Sequence, residues 1–219
     1  MKLLFAARFS GLAFLVAGLY TLFVMRPGLR LVNGFDLRQA WVLDRALLWQ
    51  LGWWLWLVAI FSWMVVLIVL HWSYLPAHRV EGMLQSGLML IGAVLSIAGI
   101  LVWMAALPAV FVQSDTVATL TPLVDALALG LLGAGLMMAG LATAWVALDL
   151  LRQKVLSRGW LFFLFVAGLC ALPSPILLPN PSLLFVALAC WIIWCGWLAT
   201  RSHLPSPFVE WPVPGTGEP

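Results

Sequence analysis

The chain has 219 residues, of which 64% are apolar and 9% are charged, whereas about 25% of the residues in an ordinary soluble domain carry a charge. The 11 Lys and Arg residues exceed the 8 Asp and Glu residues, which gives a net charge of +3. This composition excludes a water-soluble globular domain, a disordered chain and a disulfide scaffold, and it predicts an integral membrane protein.

Six apolar segments are long enough to cross a bilayer, because a hydrocarbon core of about 30 Å needs about 20 helical residues. Of the 11 basic and 8 acidic residues, only Arg8 and Asp125 fall inside them, as the cost of placing a charge in lipid requires. The segments are apolar all round and do not alternate as barrel strands do. They predict an all-α, polytopic six-helix bundle with short loops over residues 1–201. The segments are Leu3–Met25, Leu47–Leu70, Met83–Leu107, Leu123–Leu148, Trp160–Leu178 and Leu183–Thr200.

The first segment also has features of a signal peptide, because Lys2 and Arg8 flank its start. Its apolar run after Arg8 has 17 residues, against about 7–15 in the apolar core of a signal peptide. No clear small-x-small cleavage pattern precedes Arg26. A retained helix is the preferred interpretation.

The connections between the segments carry their own predictions. Asp36–Leu48 reads either as a short amphipathic helix in the membrane interface or as the hydrated first turns of the second segment. Pro108–Pro122 is too apolar for a solvated loop, and we expect it to rest on the membrane surface. Four prolines in residues 173–181 predict a hairpin with extended backbone. The Pro-rich tail 202–219 is expected to be flexible.

The second segment is rich in tryptophan. Trp49, Trp53, Trp56 and Trp63 follow one another at steps of four, three and seven residues, which places them on one stripe of a helix. Such a stripe supplies packing or lipid-facing bulk. Alternatively, it forms the wall of a binding site for a flat hydrophobic ligand such as a quinone, a carotenoid or a chlorin.

The fourth segment contains two runs of small residues at four-residue spacing. Small residues at this spacing let two helix backbones approach closely inside a membrane. We therefore expect this helix to lie centrally in the bundle. The helix-packing candidates are Ala126, Gly130 and Ala134 in one run, and Gly135, Ala139, Thr143 and Ala147 in the other.

Asp125 is the only acidic residue within a predicted span. An intramembrane acid suggests a polar functional site that handles a proton or a cation. Since it follows Thr121 and Pro122, it also fits the first turn of a helix, where a carboxylate complements the helix dipole. Near the other end of the same segment, Asp149 is expected to form an ion pair with Arg152.

No catalytic motif, phosphate-binding loop or paired carboxylate pattern is present in the sequence. The three histidines, His71, His78 and His203, lie at segment ends or in the tail, which disfavours a haem or metal site. The basic residues are scattered singly, so nucleic-acid binding is not expected. The sequence therefore predicts no enzyme activity, no metal and no cofactor.

The distribution of basic residues predicts the orientation. With a cytoplasmic N-terminus, seven basic residues lie on the cytoplasmic side and four on the other. This excess favours cytoplasmic N- and C-termini, in a bacterial inner or thylakoid-type membrane. The seven are Lys2, Arg8, Arg79, Arg152, Lys154, Arg158 and Arg201, and the four are Arg26, Arg30, Arg38 and Arg45.

The functional expectation is a non-enzymatic accessory, assembly or interaction subunit of a membrane complex. Besides the lipid bilayer, its expected partners are other membrane subunits or further copies of the chain. The alternative is a small carrier or substrate-binding transporter subunit for a hydrophobic or neutral solute, because six helices in about 200 residues and a tryptophan stripe suit such a site.

Overall fold

A computed structural model describes residues 2–29, 35–74, 80–113, 117–152, 156–177 and 182–200. These residues contain helices and no strand, which confirms the predicted all-α bundle. The predicted tail 202–219 lies outside the described residues. The helices are α1 (Lys2–Tyr20, continued by a π-helical turn at Thr21–Met25), α2 (Phe35–Asp44), α3 (Ala46–Tyr74), α4 (Val80–Val112), α5 (Val117–Arg152), α6 (Arg158–Ala171), α7 (Ser174–Leu177) and α8 (Ser182–Thr200).

Six helical stretches in the described part are long and apolar enough to cross a membrane. The protein is therefore an α-helical, multi-pass membrane protein. The stretches are Leu3–Met25, Ala46–His71, Val80–Val112, Val117–Arg152, Arg158–Ile176 and Ser182–Thr200.

The helices α4 and α5 are longer than the apolar segments that predicted them. Most of Pro108–Pro122 belongs to these two helices, because α4 continues to Val112 and α5 begins at Val117; its expected position on the membrane surface stays a prediction. Pro108 and Pro122 lie inside these helices, within two turns of an end. A proline there removes one backbone hydrogen bond without ending the helix.

Two connections contain short helices. Most of Asp36–Leu48 forms a separate short helix and not the first turns of the second span, because α2 ends at Asp44 and a turn at Arg45 separates it from α3. The predicted extended hairpin is wrong where it is described, since Ser174–Leu177 forms one helical turn. Proline is compatible with the first turn of a helix, which explains how this turn accommodates Pro175.

Contacts between helix ends show how the spans alternate in direction. Near the start of α1, Arg8 donates from Nη2 to the Ala199 carbonyl at the end of α8, over 2.8 Å. At the other end of α1, the Tyr20 hydroxyl donates to the Leu48 carbonyl near the start of α3, over 3.1 Å. We call the end of the bundle that contains the first turns of α1 the near end, and the opposite end the far end.

The six spans form a closed ring in which α1 packs on α3, α3 on α4, α4 on α5, α5 on α6, α6 on α8 and α8 on α1. The most extensive contact is between α4 and α5. A Cβ atom added at Gly92 would lie 2.7 Å from the Ala139 backbone nitrogen, and one at Gly99 would lie 2.7 Å from the Ala128 carbonyl oxygen. Only glycine allows the two backbones this approach.

Candidate functional site

Asp125 lies well inside α5. The helix begins at Val117, so Asp125 belongs to its third turn. The interpretation of Asp125 as a helix-start residue is therefore wrong, because the preceding residues are helical as well. Its carboxylate has partners from two other elements, α2 and α4, which together form a buried polar site at the far end of the bundle.

The main partner of Asp125 is Arg38 on α2. Arg38 donates from Nη1 to Oδ2 at 2.6 Å and from Nη2 to Oδ1 at 2.7 Å, which is a bidentate ion pair. The Arg38 side chain is 3% exposed and that of Asp125 is 14% exposed. The third guanidinium donor, Nε, bonds to the Gly28 carbonyl at 2.8 Å. This pair ties α2 and the end of the first span to α5.

Trp103 on α4 completes the shell of the carboxylate. Its indole Nε1 donates to Asp125 Oδ1 at 2.8 Å, and its own carbonyl accepts a bond from Trp49 Nε1 at 3.2 Å. The Arg38 guanidinium lies 5.9 Å from the centre of the Phe111 ring, within the range of a cation–π contact. We call Arg38, Asp125 and Trp103 the Asp125 site. The guanidinium and the carboxylate thus face each other directly, and Trp103 adds a third donor to the carboxylate.

The tryptophan stripe of α3 faces other aromatic side chains inside the bundle. Trp49 contacts Trp53 edge-on with ring centres 5.2 Å apart, and Trp53 contacts Trp103 at 5.1 Å. Further along the stripe, Trp56 donates to the Thr21 hydroxyl at 2.8 Å. Aromatic packing thus accounts for these three members of the stripe. Trp49 and Trp56 also donate hydrogen bonds, whereas Trp53 Nε1 has no hydrogen-bond partner among the described residues.

The fourth member, Trp63, belongs to an aromatic cluster between α1, α3 and α8. Phe14 on α1 contacts Trp56, Trp63 and Trp191 through edge-on pairs with centres 5.9–6.3 Å apart, and Trp194 packs on Trp191 at 5.4 Å. We call these five residues the central aromatic cluster. The indole Nε1 atoms of Trp63 and Trp194 have no hydrogen-bond partner among the described residues.

Two serines lie beside this cluster. Ser62 on α3 donates to the Ser10 hydroxyl of α1 at 3.0 Å. Trp191 on α8 donates from Nε1 to the same Ser10 oxygen at 3.1 Å. Three helices are thereby joined through one buried hydroxyl group.

A second buried carboxylate, Asp149, lies at the near end of α5. Gln85 on α4 donates from Nε2 to Asp149 Oδ2 at 2.5 Å. The predicted pair with Arg152 is present, with Nη1 and Oδ1 3.4 Å apart, but the Arg152 side chain is 73% exposed. Such an exposed pair contributes little to stability. The Gln85 amide, at 2.5 Å, is closer to the Asp149 carboxylate than the Arg152 guanidinium is.

His71, near the end of α3, borders the same carboxylate. Its imidazole lies directly against Gly82 on α4, where any Cβ atom would overlap the ring. Gln85 and Asp149 both lie close enough to act on the imidazole electrostatically. Nevertheless, His71 Nδ1 and Gln85 Oε1 have no hydrogen-bond partner in the described part of the chain. We call His71, Gln85 and Asp149 the Asp149 site.

The small residues of α5 divide between two environments. Gly135 and Ala139 lie at the contact with α4, and Thr143 and Ala147 are buried. In the other run, Ala126 and Gly130 are exposed and Ala134 is half-buried, and Gly130 has no atom within 4 Å of an added Cβ. The face of α5 that meets α4 therefore includes Gly135 and Ala139 of the second run, together with Ala128.

The contact of α5 with α6 uses a glycine that the sequence pattern missed. A Cβ atom at Gly140 would lie 2.7 Å from the Gly168 carbonyl oxygen of α6. Gly140 falls outside both four-residue runs. Buried small residues on two faces of α5 give it close contacts on both sides.

The described residues contain no group of three or more His, Cys, Asp and Glu residues arranged to hold a metal ion. His78 and His203 lie outside the described residues. All three cysteines are in the described spans and carry free thiols. The arrangement of the two sites on α5 thus rests on carboxylate, amide, guanidinium, imidazole and indole groups.

Sequence reasoning missed Arg38, Gln85 and His71 as partners of the acidic residues. Arg38 appeared in a loop, where a charge has no evident reason to be buried. A usable signal was its spacing from Val42, since residues four apart share one face of a helix, and Arg38 and Val42 are the buried residues of α2. Gln85 lay among apolar residues with no spacing rule that linked it to Asp149.

Comparison of this chain with models of protein families, with curated proteins and with solved structures finds no match.

Proposed function

We propose that this protein is a non-enzymatic membrane component, an accessory, assembly or interaction subunit that binds other membrane helices. The observation that carries the proposal is the use of polar groups to join its own helices. Arg38 pairs with Asp125 between α2 and α5, and Gln85 bonds to Asp149 between α4 and α5. Polar side chains that build the bundle suit a scaffold role.

The outer surface of the bundle supports this proposal. Large apolar side chains point outward on every span, among them Leu12 on α1, Leu127 on α5 and Phe162 on α6. In a membrane without a partner, such side chains face lipid. An interaction subunit would cover one of these faces with a partner helix and leave the others in lipid.

Photo-crosslinking in the native membrane tests the proposal. A photoreactive amino acid is placed singly at Leu12, Leu127 or Phe162, and adducts are identified by mass spectrometry. We expect a discrete polypeptide adduct from one face only, at the mass of a partner or of a second copy of the chain. The matched control is Leu164, a fully buried residue of α6, which should give no intermolecular adduct. Lipid adducts alone from all three faces would refute a subunit role.

Gly130 offers a second test on the face that contains Leu127. If the partner approaches α5 at the open space beside Gly130, Gly130→Leu should abolish the Leu127 adduct while leaving the protein folded. Gly159, which also has no atom within 4 Å of an added Cβ, provides the control Gly159→Leu. An undiminished adduct in Gly130→Leu would place the partner elsewhere.

We further propose a bacterial inner or thylakoid-type membrane, with both termini in the cytoplasm or its equivalent. The excess of basic residues that the sequence assigns to the cytoplasmic side, seven against four, supports this orientation. Single cysteines introduced at Glu81 and Asp36, exposed acids at the near and far ends, test it after replacement of the three native cysteines. An impermeant thiol reagent added to intact cells should label only the cysteine at position 36.

A second candidate function is a carrier or binding subunit for a hydrophobic or neutral solute. The observation in its favour is the pair of unpartnered indole N–H groups of Trp63 and Trp194 in the central aromatic cluster. A solute with an acceptor oxygen would supply their missing bonds. Solvent extraction and mass spectrometry of the purified protein should then yield a bound compound that Trp194→Phe loses. The exposed residue Trp54 provides the control Trp54→Phe.

A further inference from the structure

The Asp149 site contains buried polar atoms without the partners that burial requires. His71, Gln85 and Asp149 are 9%, 2% and 8% exposed, and they come from α3, α4 and α5. His71 Nδ1 and Gln85 Oε1 have no hydrogen-bond partner in the described ranges. Since buried polar atoms in folded proteins are almost always paired, these two atoms point to a ligand.

The hydrogen bond to Asp149 determines which way the Gln85 amide points. Its Nε2 donates to Asp149 Oδ2, and a flipped amide would set Oε1 against a carboxylate oxygen. The site therefore presents Gln85 Oε1 as an acceptor. Of the two unpartnered atoms, only His71 Nδ1 can carry a proton and become the donor that Oε1 lacks. A proton on Nδ1 alone leaves the imidazole neutral, whereas protons on both ring nitrogens give it a positive charge.

The charge of Asp149 favours the uptake of a proton by His71. Its ion pair with Arg152 spans 3.4 Å and involves a side chain that is 73% exposed, so water screens most of the attraction. A buried carboxylate normally has a buried positive partner. A protonated imidazole at His71 would be that partner, linked to Asp149 through the Gln85 amide.

We propose that His71, Gln85 and Asp149 form a reversible proton-binding site at the near end of the bundle. The imidazole takes a proton from water and returns it to water, Gln85 Oε1 accepts the N–H of Nδ1, and Asp149 supplies the negative charge. Among the described residues, the other ionisable side chains near these turns of α3, α4 and α5 are Tyr74, Glu81 and Arg152. The site goes beyond the subunit role and does not depend on it.

Histidine titration of the whole protein in lipid nanodiscs tests the proposal. The chain is labelled with ¹³C-histidine, the His71 resonance is assigned by its loss in His71→Gln, and spectra are recorded from about pH 4 to about pH 8.5. We expect His71 to titrate in this range. Asp149→Asn should lower its pH midpoint by about one unit, a tenfold loss of proton affinity. The matched control Asp36→Asn, at an exposed far-end acid, should leave the midpoint unchanged.

Two further variants keep the test decisive if Asp149→Asn does not fold. Gln85→Met conserves side-chain volume but removes the link, and it should lower the midpoint by less than Asp149→Asn does. Arg152→Gln alters an exposed side chain and should raise the midpoint, because a nearby positive charge is lost. A His71 resonance that does not titrate, or a midpoint unmoved in all the folded variants, would overturn the proposal.

Discussion

The two buried carboxylates of α5 have opposite kinds of partner. At the far end, Asp125 faces Arg38, a permanently charged side chain that reaches both carboxylate oxygens and is itself buried. At the near end, Asp149 faces a neutral amide, an exposed arginine and an imidazole that can gain or lose a proton. The Arg38–Asp125 pair has a buried positive charge beside its carboxylate, whereas Asp149 has no buried, permanently charged partner among the described residues.

If the Asp149 site binds a proton as proposed, the same residue type serves two purposes in one helix. A bidentate pair with arginine satisfies both carboxylate oxygens and has no titration near neutral pH on the arginine side. Histidine is the side chain whose charge responds to ordinary changes of pH. Both carboxylates depend on α4 as well, because Trp103 bonds to one and Gln85 to the other. The contact between α4 and α5 therefore holds the two sites in place together.

The largest effect is expected from Asp125→Asn, which leaves the Arg38 guanidinium buried without a counter-charge. Breaking a buried ion pair by removing one partner costs about 3–5 kcal/mol. The free energy of unfolding, measured by SDS titration in mixed micelles, should fall by about this amount. Arg38→Met combined with Asp125→Leu should recover much of the loss, since it removes both charges. Equal stability of Asp125→Asn and the wild type would show that the pair does not hold α2.

The next effect concerns the α4–α5 contact on which both carboxylates depend. A Cβ atom at Gly135 would lie 2.5 Å from the Ser96 backbone nitrogen and 2.6 Å from the Gly92 carbonyl oxygen, so Gly135→Leu should push the helices apart. Overpacking costs about 1–3 kcal/mol, and occasionally more. Gly130→Leu, on the same helix but in open space, is the matched control. If both variants lost equal stability in the same SDS titration, the close approach of α4 and α5 would not explain the packing.

The sequence predicts the placement of the spans better than the sites between them. Apolar length and charge exclusion act within single segments, so the first span, Leu3–Met25, is found with the predicted bounds. The pairing of Arg38 with Asp125 joins residues 87 positions apart, and no local pattern links a charge in an interhelical connection to one in a span. The helix-start interpretation of Asp125 is wrong because α5 begins at Val117, before Pro122, and the apolar length of a span does not show how far its helix extends.

A smaller effect than that of Asp125→Asn is expected from Asp149→Asn. The asparagine oxygen can still accept from Gln85 Nε2, and no buried arginine loses its partner. The free energy of unfolding at neutral pH should therefore fall by no more than about 1 kcal/mol, the net value of a typical hydrogen bond. The comparison is made in one SDS titration with both Asp→Asn variants. A loss as large as that of Asp125→Asn would mean that Asp149 already has a buried positive partner at neutral pH.

The smallest effect is expected from Arg152→Gln. Arg38 and Arg152 both pair with a carboxylate of α5, but the Arg38 side chain is 3% exposed and that of Arg152 is 73% exposed. Water already solvates the Arg152 guanidinium, so its removal should change the free energy of unfolding by less than about 1 kcal/mol. The matched variant Arg38→Gln should cost several times more, because Asp125 then stays buried without a positive charge. If the two arginine variants had equal effects, exposure would not be the property that separates the two ends of α5.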